Sequence, residues 1–478
     1  MSDSAAGGIR IGTPPGRGVI LAAGLGSGMA FLDGTVVNVA LKRIGEDLGA
    51  SLAELQWISN GYLLSLASLI LLGGSLGDRY GRRRVFVIGT AWFAAASLLC
   101  GLAPNPETLI IARVLQGIGG ALLTPGSLAM IQGAFVASDR PKAIGAWTGI
   151  TSIAAAIGPF VGGGLVDYTS WRWIFLINLP LAAATIWFAV RHVPESRDPH
   201  ASTHFDVAGG TLATLALGAL TYALIQWGDT LAPYAGVVAV LAAVGFIMVE
   251  RRDPEPMLRL EIFRDRTFSA ANAMTLLVYA ALGASLFFVT LQLQTVGGWS
   301  ALAAGLASMP ITICMIFLAA KGGEIGARLG PRIPMTVGPI VMAASCVMLL
   351  AVGDDVNFVV DVLPGMTVFG LGLALMVAPL TATVLAAAPD EHAGVASGVN
   401  NALARAGSLL AVAALPVAVG LGGADYTDPE VFDDGYRSAM IACAVLLAAG
   451  GVVSWLTIRN KVLEEQEEDQ PDPEAGPA

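Results

Sequence analysis

Long apolar stretches alternate with short polar patches along this chain, and fourteen of the stretches approach or exceed the roughly 20 residues a helix needs to cross a bilayer. The pattern predicts helices over 18–41, 54–77, 84–102, 107–131, 141–166, 174–193, 206–227, 232–250, 268–291, 301–320, 333–353, 359–386, 394–418 and 438–458. The fold class is therefore an all-α polytopic membrane protein. An even number of spans puts both termini on one side. With that side taken as the cytoplasm, 20 of the 26 Lys and Arg residues fall inside and four (Lys42, Arg43, Arg172, Arg437) fall outside, as the positive-inside rule expects. Arg113 and Arg405 lie within spans. The connection at 390–392 is the one inside loop without a basic residue.

Composition agrees. Of 478 residues, 55% are hydrophobic and 13% charged, where a soluble globular domain carries roughly 25% charged residues. Mean hydropathy is +0.70. The net charge of −10 describes a tail: seven acids lie from Glu464 to Glu474, and without them the balance is −3. That segment reads as a solvated acidic terminus. Cys100, Cys314, Cys346 and Cys443 sit in apolar runs without CxxC spacing, and the four histidines form no ligand pattern, so neither a disulfide nor a metal site is expected. Residues 1–17 are polar and rich in Pro and Gly, and no cleavable signal is expected there. The sequence has no Gly-x4-Gly-Lys-Ser/Thr loop to cradle the phosphates of ATP. Ion gradients remain as the energy source, one charge moving through 100 mV supplying about 2.3 kcal/mol. Arg outnumbers Lys 22 to 4 amid abundant Ala and Gly, which suggests GC-rich coding and hence a bacterial cytoplasmic membrane.

The chain carries an internal repeat. Gly74-Ser-Leu-Gly77-Asp78-Arg79-Tyr80-Gly81-Arg82-Arg83, after the second span, superposes at an offset of 249 on Gly323-Glu-Ile-Gly326-Ala327-Arg328-Leu329-Gly330-Pro331-Arg332, after the tenth. Both read as loops between spans. The duplication predicts two six-helix bundles, 18–193 and 268–458, the halves of a secondary transporter. A linker region (194–267) with two inserted helices (206–250) separates them, and cytoplasmic tails (1–17 and 459–478) flank them. In the first frame Gly74 and Gly81 permit a tight turn and close helix approach. Arg79 and Arg82 hold the loop at the anionic leaflet. Asp78 can pair with an arginine or a helix N-terminus, forming a latch that breaks as the halves rock apart. Ala327 replaces that acid in the second copy.

Gly74-x-x-x-Asp78-Arg79-x-Gly81-Arg82 resembles motif A of the major facilitator superfamily. Leu109-x-x-x-Arg113-x-x-Gln116-Gly117-x-Gly119-Gly120-Ala121 resembles motif B. Gly149-x8-Gly158-Pro159-x-x-Gly162-Gly163 resembles motif C, the signature of antiporters. Leu32–Leu41, Trp171–Asn178 and Ala396–Asn401 are similar to segments of the fourteen-helix drug:proton antiporter branch. The resemblance implies a proton-coupled exporter and makes Arg113 part of proton coupling. An arginine facing lipid at mid-membrane costs about 2.5–3.5 kcal/mol, so Arg113 should face the bundle interior, where it could stabilise a carboxylate. A structural arginine satisfied by backbone carbonyls is the plainer alternative. Asp33 is the acid placed well inside a span. Burial would favour its neutral form and a nearby cation its charged form, so changing surroundings could load and release a proton. It could equally neutralise a cationic substrate, or hold Thr35 or Asn38 in a fixed hydrogen bond. The glycines of the fifth span suggest a smooth stripe for packing against the other half, with Pro159 adding a bend. Asn38, Tyr62, Gln116, Trp147, Tyr279 and Arg405 are candidates to line a substrate cavity, the aromatics by offering faces to a lipophilic cation.

The expected function is proton-driven export of lipophilic, cationic or amphipathic drugs by alternating access. The alternatives are export of one natural product, lipid or metabolite, or proton symport. An enzyme is not expected, since no nucleophile or metal constellation and no sizeable soluble domain is visible. The expected partners are a small lipophilic substrate, protons and membrane lipid, without ATP, nucleic acid or any cofactor, and the protein is expected to be a monomer.

Overall fold

The computed structural model describes residues 8–197, 206–253, 256, 258–388 and 393–460. Fourteen helices among them are long and apolar enough to span a membrane. These are α1 (Pro14–Leu48), α2 (Leu52–Tyr80), α3 (Arg82–Gly101), α4 (Pro106–Ala134), α5 (Lys142–Tyr168), α6 (Trp173–His192), α7 (Val207–Ile225), α8 (Ala232–Arg252), α9 (Arg266–Thr295), α10 (Ala301–Leu329), α11 (Arg332–Ala351), α12 (Phe358–Ala386), α13 (Val395–Ala418) and α14 (Pro429–Thr457). The acidic tail from 461 lies outside the described residues, as does the 390–392 connection.

Several helices outrun the apolar stretches that announce them. At 1.5 Å per residue, the 35 residues of α1 extend about 52 Å, well beyond a hydrocarbon core of about 30 Å. Its last turns therefore carry Lys42, Arg43, Glu46 and Asp47 in helical form beyond the lipid tails. Local chemistry sets the ends. Thr13 caps α1 by accepting from the Gly16 amide at 3.2 Å, and Ser51 and Glu54 close a capping box on α2.

The two repeat frames are helix, not loop. Gly74–Tyr80 belongs to α2, and the turn into α3 is Gly81 alone, at φ +113°. Its counterpart Gly330, between α10 and α11, sits at φ +79°. A side chain is strained in that region, which lets one residue reverse the chain. The equivalence goes further. A Cβ on Gly73 would collide with the Ala121 carbonyl of α4, and one on Gly322 would collide with the Ala374 carbonyl of α12. Gly89 likewise abuts α4, as Gly338 abuts α12. The α2–α4 and α3–α4 crossings are thus repeated as α10–α12 and α11–α12.

The compact units do not follow the repeat. One comprises Met1–Met257, Val289–Leu306 and Val412–Phe432; the other comprises Leu258–Phe288, Ala307–Ala411 and Asp433–Ala478. Within the first, the end of α9 and the start of α10 pack on α1 and α5. Lys42 Nζ donates to the Gln294 carbonyl at 2.7 Å, and Asp167 accepts from the Ala301 and Leu302 amides at 3.1 and 2.8 Å. Gln56 Nε2 donates to the Val412 carbonyl at 2.6 Å, and the Leu52 amide donates to Gly423 O at 2.7 Å. The inserted pair α7 and α8 also belongs here. It leans on α2 through Trp57 and Tyr222, whose ring centroids lie 6.4 Å apart, and exposes Val237, Val240, Leu241 and Val244. Such a face suits lipid.

Candidate proton-coupling site

Five helices of the first unit converge on one carboxylate. Asp33 of α1 is fully buried, and Arg113 of α4 is 1% exposed. Arg113 Nη1 donates to Asp33 Oδ2 and also to Gln116 Oε1, the latter at 2.7 Å. Three residues apart on α4, Arg113 and Gln116 share a face, and Gln116 Nε2 donates to Asp33 Oδ1 at 2.8 Å. Asn178 of α6 donates to the same oxygen at 3.2 Å. Ser97 of α3 accepts from Gln116 and Asn178 at 3.2 and 3.0 Å, while its own hydroxyl donates to Phe175 O at 2.9 Å. One turn further along α3, the Cys100 thiol donates to Gln116 Oε1 at 3.5 Å. The guanidinium is held from the other side as well. Its Nε donates to Ile58 O of α2 at 3.1 Å, and its Cζ lies 4.5 Å from the Tyr62 ring centroid.

The backbone explains why these groups meet. Gly117 and Gly119 of α4 are packed so tightly against the Tyr62 carbonyl of α2 and the Phe93 backbone of α3 that neither could carry a side chain. Close crossings carry Arg113 and Gln116 inward. Asn178 starts the second part of α6, after a turn at Ile177. Pro180 has no amide to bond back toward Leu176, so the helix breaks just where the polar residue enters the core.

A buried ion pair that loses one partner leaves an uncompensated charge, at about 3–5 kcal/mol, so Asp33 and Arg113 depend on each other for their charged forms. The fixed hydrogen bond to Thr35 or Asn38 is not what holds the acid: Thr35 Oγ1 donates to Phe31 and Leu32 carbonyls, and Asn38 accepts from Ser59 at 3.4 Å. In this conformation the carboxylate is also enclosed by protein donors, which leaves direct neutralisation of a cationic substrate without geometric support. Asp33 is joined as a buried acid by Asp206 and Glu250, which lie at the ends of α7 and α8.

The remaining candidates fall in both compact units. Gln116 and Tyr62 are buried beside Asp33, and the Tyr62 hydroxyl donates to Ala30 O at 3.1 Å. Trp147 Nε1 donates to Ser27 Oγ at 3.2 Å. Tyr279 and Arg405 belong to the second unit, where the Tyr279 carbonyl accepts from Ser408 at 2.8 Å. Asp78 pairs with Arg82 at 2.8 Å. Arg82 and Arg83 tie the turn to the segment after α6: the Arg82 amide donates to Ser196 O at 3.0 Å, and the Arg83 amide donates to Glu195 at 3.1 Å. In the second unit the Arg332 amide meets Asn460, after α14, at 3.3 Å. On α5, Gly158 and Gly162 abut Thr35 and Val36 of α1, within the same half, so the expected packing against the other half falls to Gly163 and Pro159 instead. Gly163 abuts Leu302, and Gly305 abuts the Pro159 carbonyl. Gly145 and Gly149 face open space. Sequence reasoning assigned no role to Ser97, Cys100 or Asn178. The signals present were the three-residue spacing of Ser97 and Cys100 and the polar Asn178 two residues before a proline.

Comparison with known proteins agrees with this architecture. The Major Facilitator Superfamily profile matches residues 23–412. The tetracenomycin C resistance and export protein of Streptomyces glaucescens is 36% identical over 403 residues, covering 83% of this chain and 75% of that one. The methylenomycin A resistance protein of Bacillus subtilis is 35% identical, with 92% and 94% covered. The puromycin resistance protein of Streptomyces alboniger is 34% identical, with 93% and 91% covered. Among solved structures, an auto-inhibited peptide transporter of the POT family superposes with a TM-score of 0.67 at 16% identity, covering 97% of this chain and 99% of that one, a likeness of fold. With its duplicated helices, its buried ion pair and these relatives, the chain belongs to the Major Facilitator Superfamily and is a multi-pass membrane protein.

Proposed function

We propose that this protein exports small lipophilic compounds across the bacterial cytoplasmic membrane in exchange for protons, by alternating access, with both termini in the cytoplasm. The observation that carries this reading is the buried Asp33–Arg113 pair, a titratable group whose charge state changes what its surroundings must satisfy. A proton entering from outside neutralises Asp33, weakens its hold on Arg113, and leaves toward the cytoplasm in a later conformation. The resistance and export relatives supply the cargo class, and no ATP, cofactor or catalytic group enters the cycle. A narrow substrate range is the second reading. It is favoured because three of the relatives are named for one antibiotic each and because Asp33 is enclosed rather than presented to cargo.

The test is uptake of puromycin, a tetracycline-like polyketide and a panel of lipophilic dyes into inverted vesicles energised by an acid-inside pH gradient. Accumulation that collapses with a protonophore is expected; accumulation indifferent to the gradient overturns antiport. The number of compounds moved separates broad from narrow export. Asp78 serves in this cycle as a latch at the α2–α3 turn. Asp78→Asn is expected to slow turnover roughly tenfold without changing which compounds are carried, the size of one strong charge-assisted hydrogen bond. Rates for two unlike substrates check it, and an altered ratio between them counts against the latch.

A further inference from the structure

Asn178 is buried beside Asp33 and uses only half of its hydrogen-bonding capacity. Its Nδ2 donates to Asp33 Oδ1 at 3.2 Å and to Ser97 Oγ at 3.0 Å. Its Oδ1 has no partner among the described residues, although the side chain is fully buried. An orphaned acceptor in such a place calls for an explanation.

The needs of the neighbouring acid supply one. An ionised carboxylate only accepts, and Asp33 meets donors on both oxygens: Arg113 on Oδ2, Gln116 and Asn178 on Oδ1. A protonated carboxyl must also donate. Gln116 Oε1, on the amide that already meets Asp33, takes Arg113 at 2.7 Å and Cys100 at 3.5 Å. Ser97 is filled too, accepting from two amides while donating to Phe175 O. Turning the Asn178 amide by half a rotation would bring Oδ1 to the position Nδ2 now holds, within reach of the Asp33 hydroxyl. The Ser97 hydroxyl can then swing from Phe175 O to the same oxygen. The titratable and charged groups around Asp33 are Arg113 from α4, Cys100 from α3 and, across the guanidinium, Tyr62 from α2. α6 presents Asn178 and Phe175, and α5 presents Gly158 to this part of α1.

We propose that Asn178 is the residue that makes protonation of Asp33 possible, its amide rotating from donor to acceptor as the acid takes up its proton. The inference rests on the reading of Asp33 as the proton carrier. Asn178 is a positioning residue, because it acts through the carboxyl.

The sign of one shift tests it. Losing a mere donor to the carboxylate would raise the pH at which Asp33 protonates. Losing the acceptor for the neutral acid lowers it, since Arg113 and Gln116 still serve the charged form. The protein purified in lipid nanodiscs is titrated by infrared difference spectroscopy, with Asp33→Asn identifying the carboxylic C=O band. Asn178→Leu is expected to move the midpoint down by about one pH unit, a tenfold loss of proton affinity. Asn178→Ser keeps a group that both donates and accepts, and is expected to stay near wild type. It serves as the folded comparison should the leucine variant fail to fold, in which case a Ser midpoint raised above wild type overturns the proposal. An upward or absent shift in Asn178→Leu overturns it as well. If wild-type vesicles show no gradient-driven export while the shift is present, the antiport reading falls and the role of Asn178 stands.

Discussion

Replacing Asp33 by asparagine is expected to reduce gradient-driven uptake into inverted vesicles to the level of vesicles without the protein. Asparagine resembles the protonated acid in size and neutrality but cannot release a proton, so the coupling step has nothing to run on. The substitution also leaves Arg113 buried without its counter-charge, destabilising the fold by about 3–5 kcal/mol. Arg113→Gln should do similar harm by stranding Asp33. The informative variant is the double one. Two residues in direct contact do not add independently, so Asp33→Asn with Arg113→Gln should regain much of the lost thermal stability while transport stays absent. Thermal unfolding in detergent and uptake in vesicles read the two quantities separately. Uptake retained in Asp33→Asn, at normal protein levels, would remove this acid from coupling.

The second large effect concerns the duplicated helix crossings. A side chain on Gly73 would strike the Ala121 carbonyl, and one on Gly322 would strike the Ala374 carbonyl. Backbone cannot yield as a flexible side chain can, so Gly73→Val and Gly322→Val are each expected to destabilise by at least the about 1–3 kcal/mol typical of overpacking. The two losses should match, since the crossings are copies. Gly149 faces open space although it opens the motif C segment, and Gly149→Ala should leave unfolding within about 0.5 kcal/mol of wild type. A robust Gly73→Val protein would mean that α2 and α4 do not cross this closely.

Much of the architecture was legible because lipid imposes so strong a pattern. Each of the fourteen apolar stretches became a spanning helix, and the 249-residue offset proved a real equivalence of turns and crossings. Helix ends were less legible, since polar caps such as Ser51 with Glu54 extend helices past the greasy segment that hydropathy detects. The frames around Gly81 and Gly330 looked like loops because their charges and glycines cluster; one positive-φ residue does the turning instead. At the site, Asp33 and Arg113 were conspicuous because charge inside a span is rare. Ser97 and Asn178 were not, because uncharged polar residues also serve ordinary helix packing in membranes. Nor could a periodic glycine stripe on α5 reveal which neighbour it touches: Gly158 and Gly162 meet α1, while Gly163 meets the start of α10.

The first compact unit is assembled from distant parts of the chain, and this bears on how the protein is made. The Leu52 amide finds its acceptor at Gly423, and Ala50 O receives the Tyr426 hydroxyl at 2.7 Å. A ribosome delivers the chain from the amino end, and earlier parts ordinarily fold first. Here the start of α2 gains these protein partners only once almost the whole polypeptide has emerged. Truncated products ending before α13 would therefore be defective in their earliest helices, not only in their missing ones.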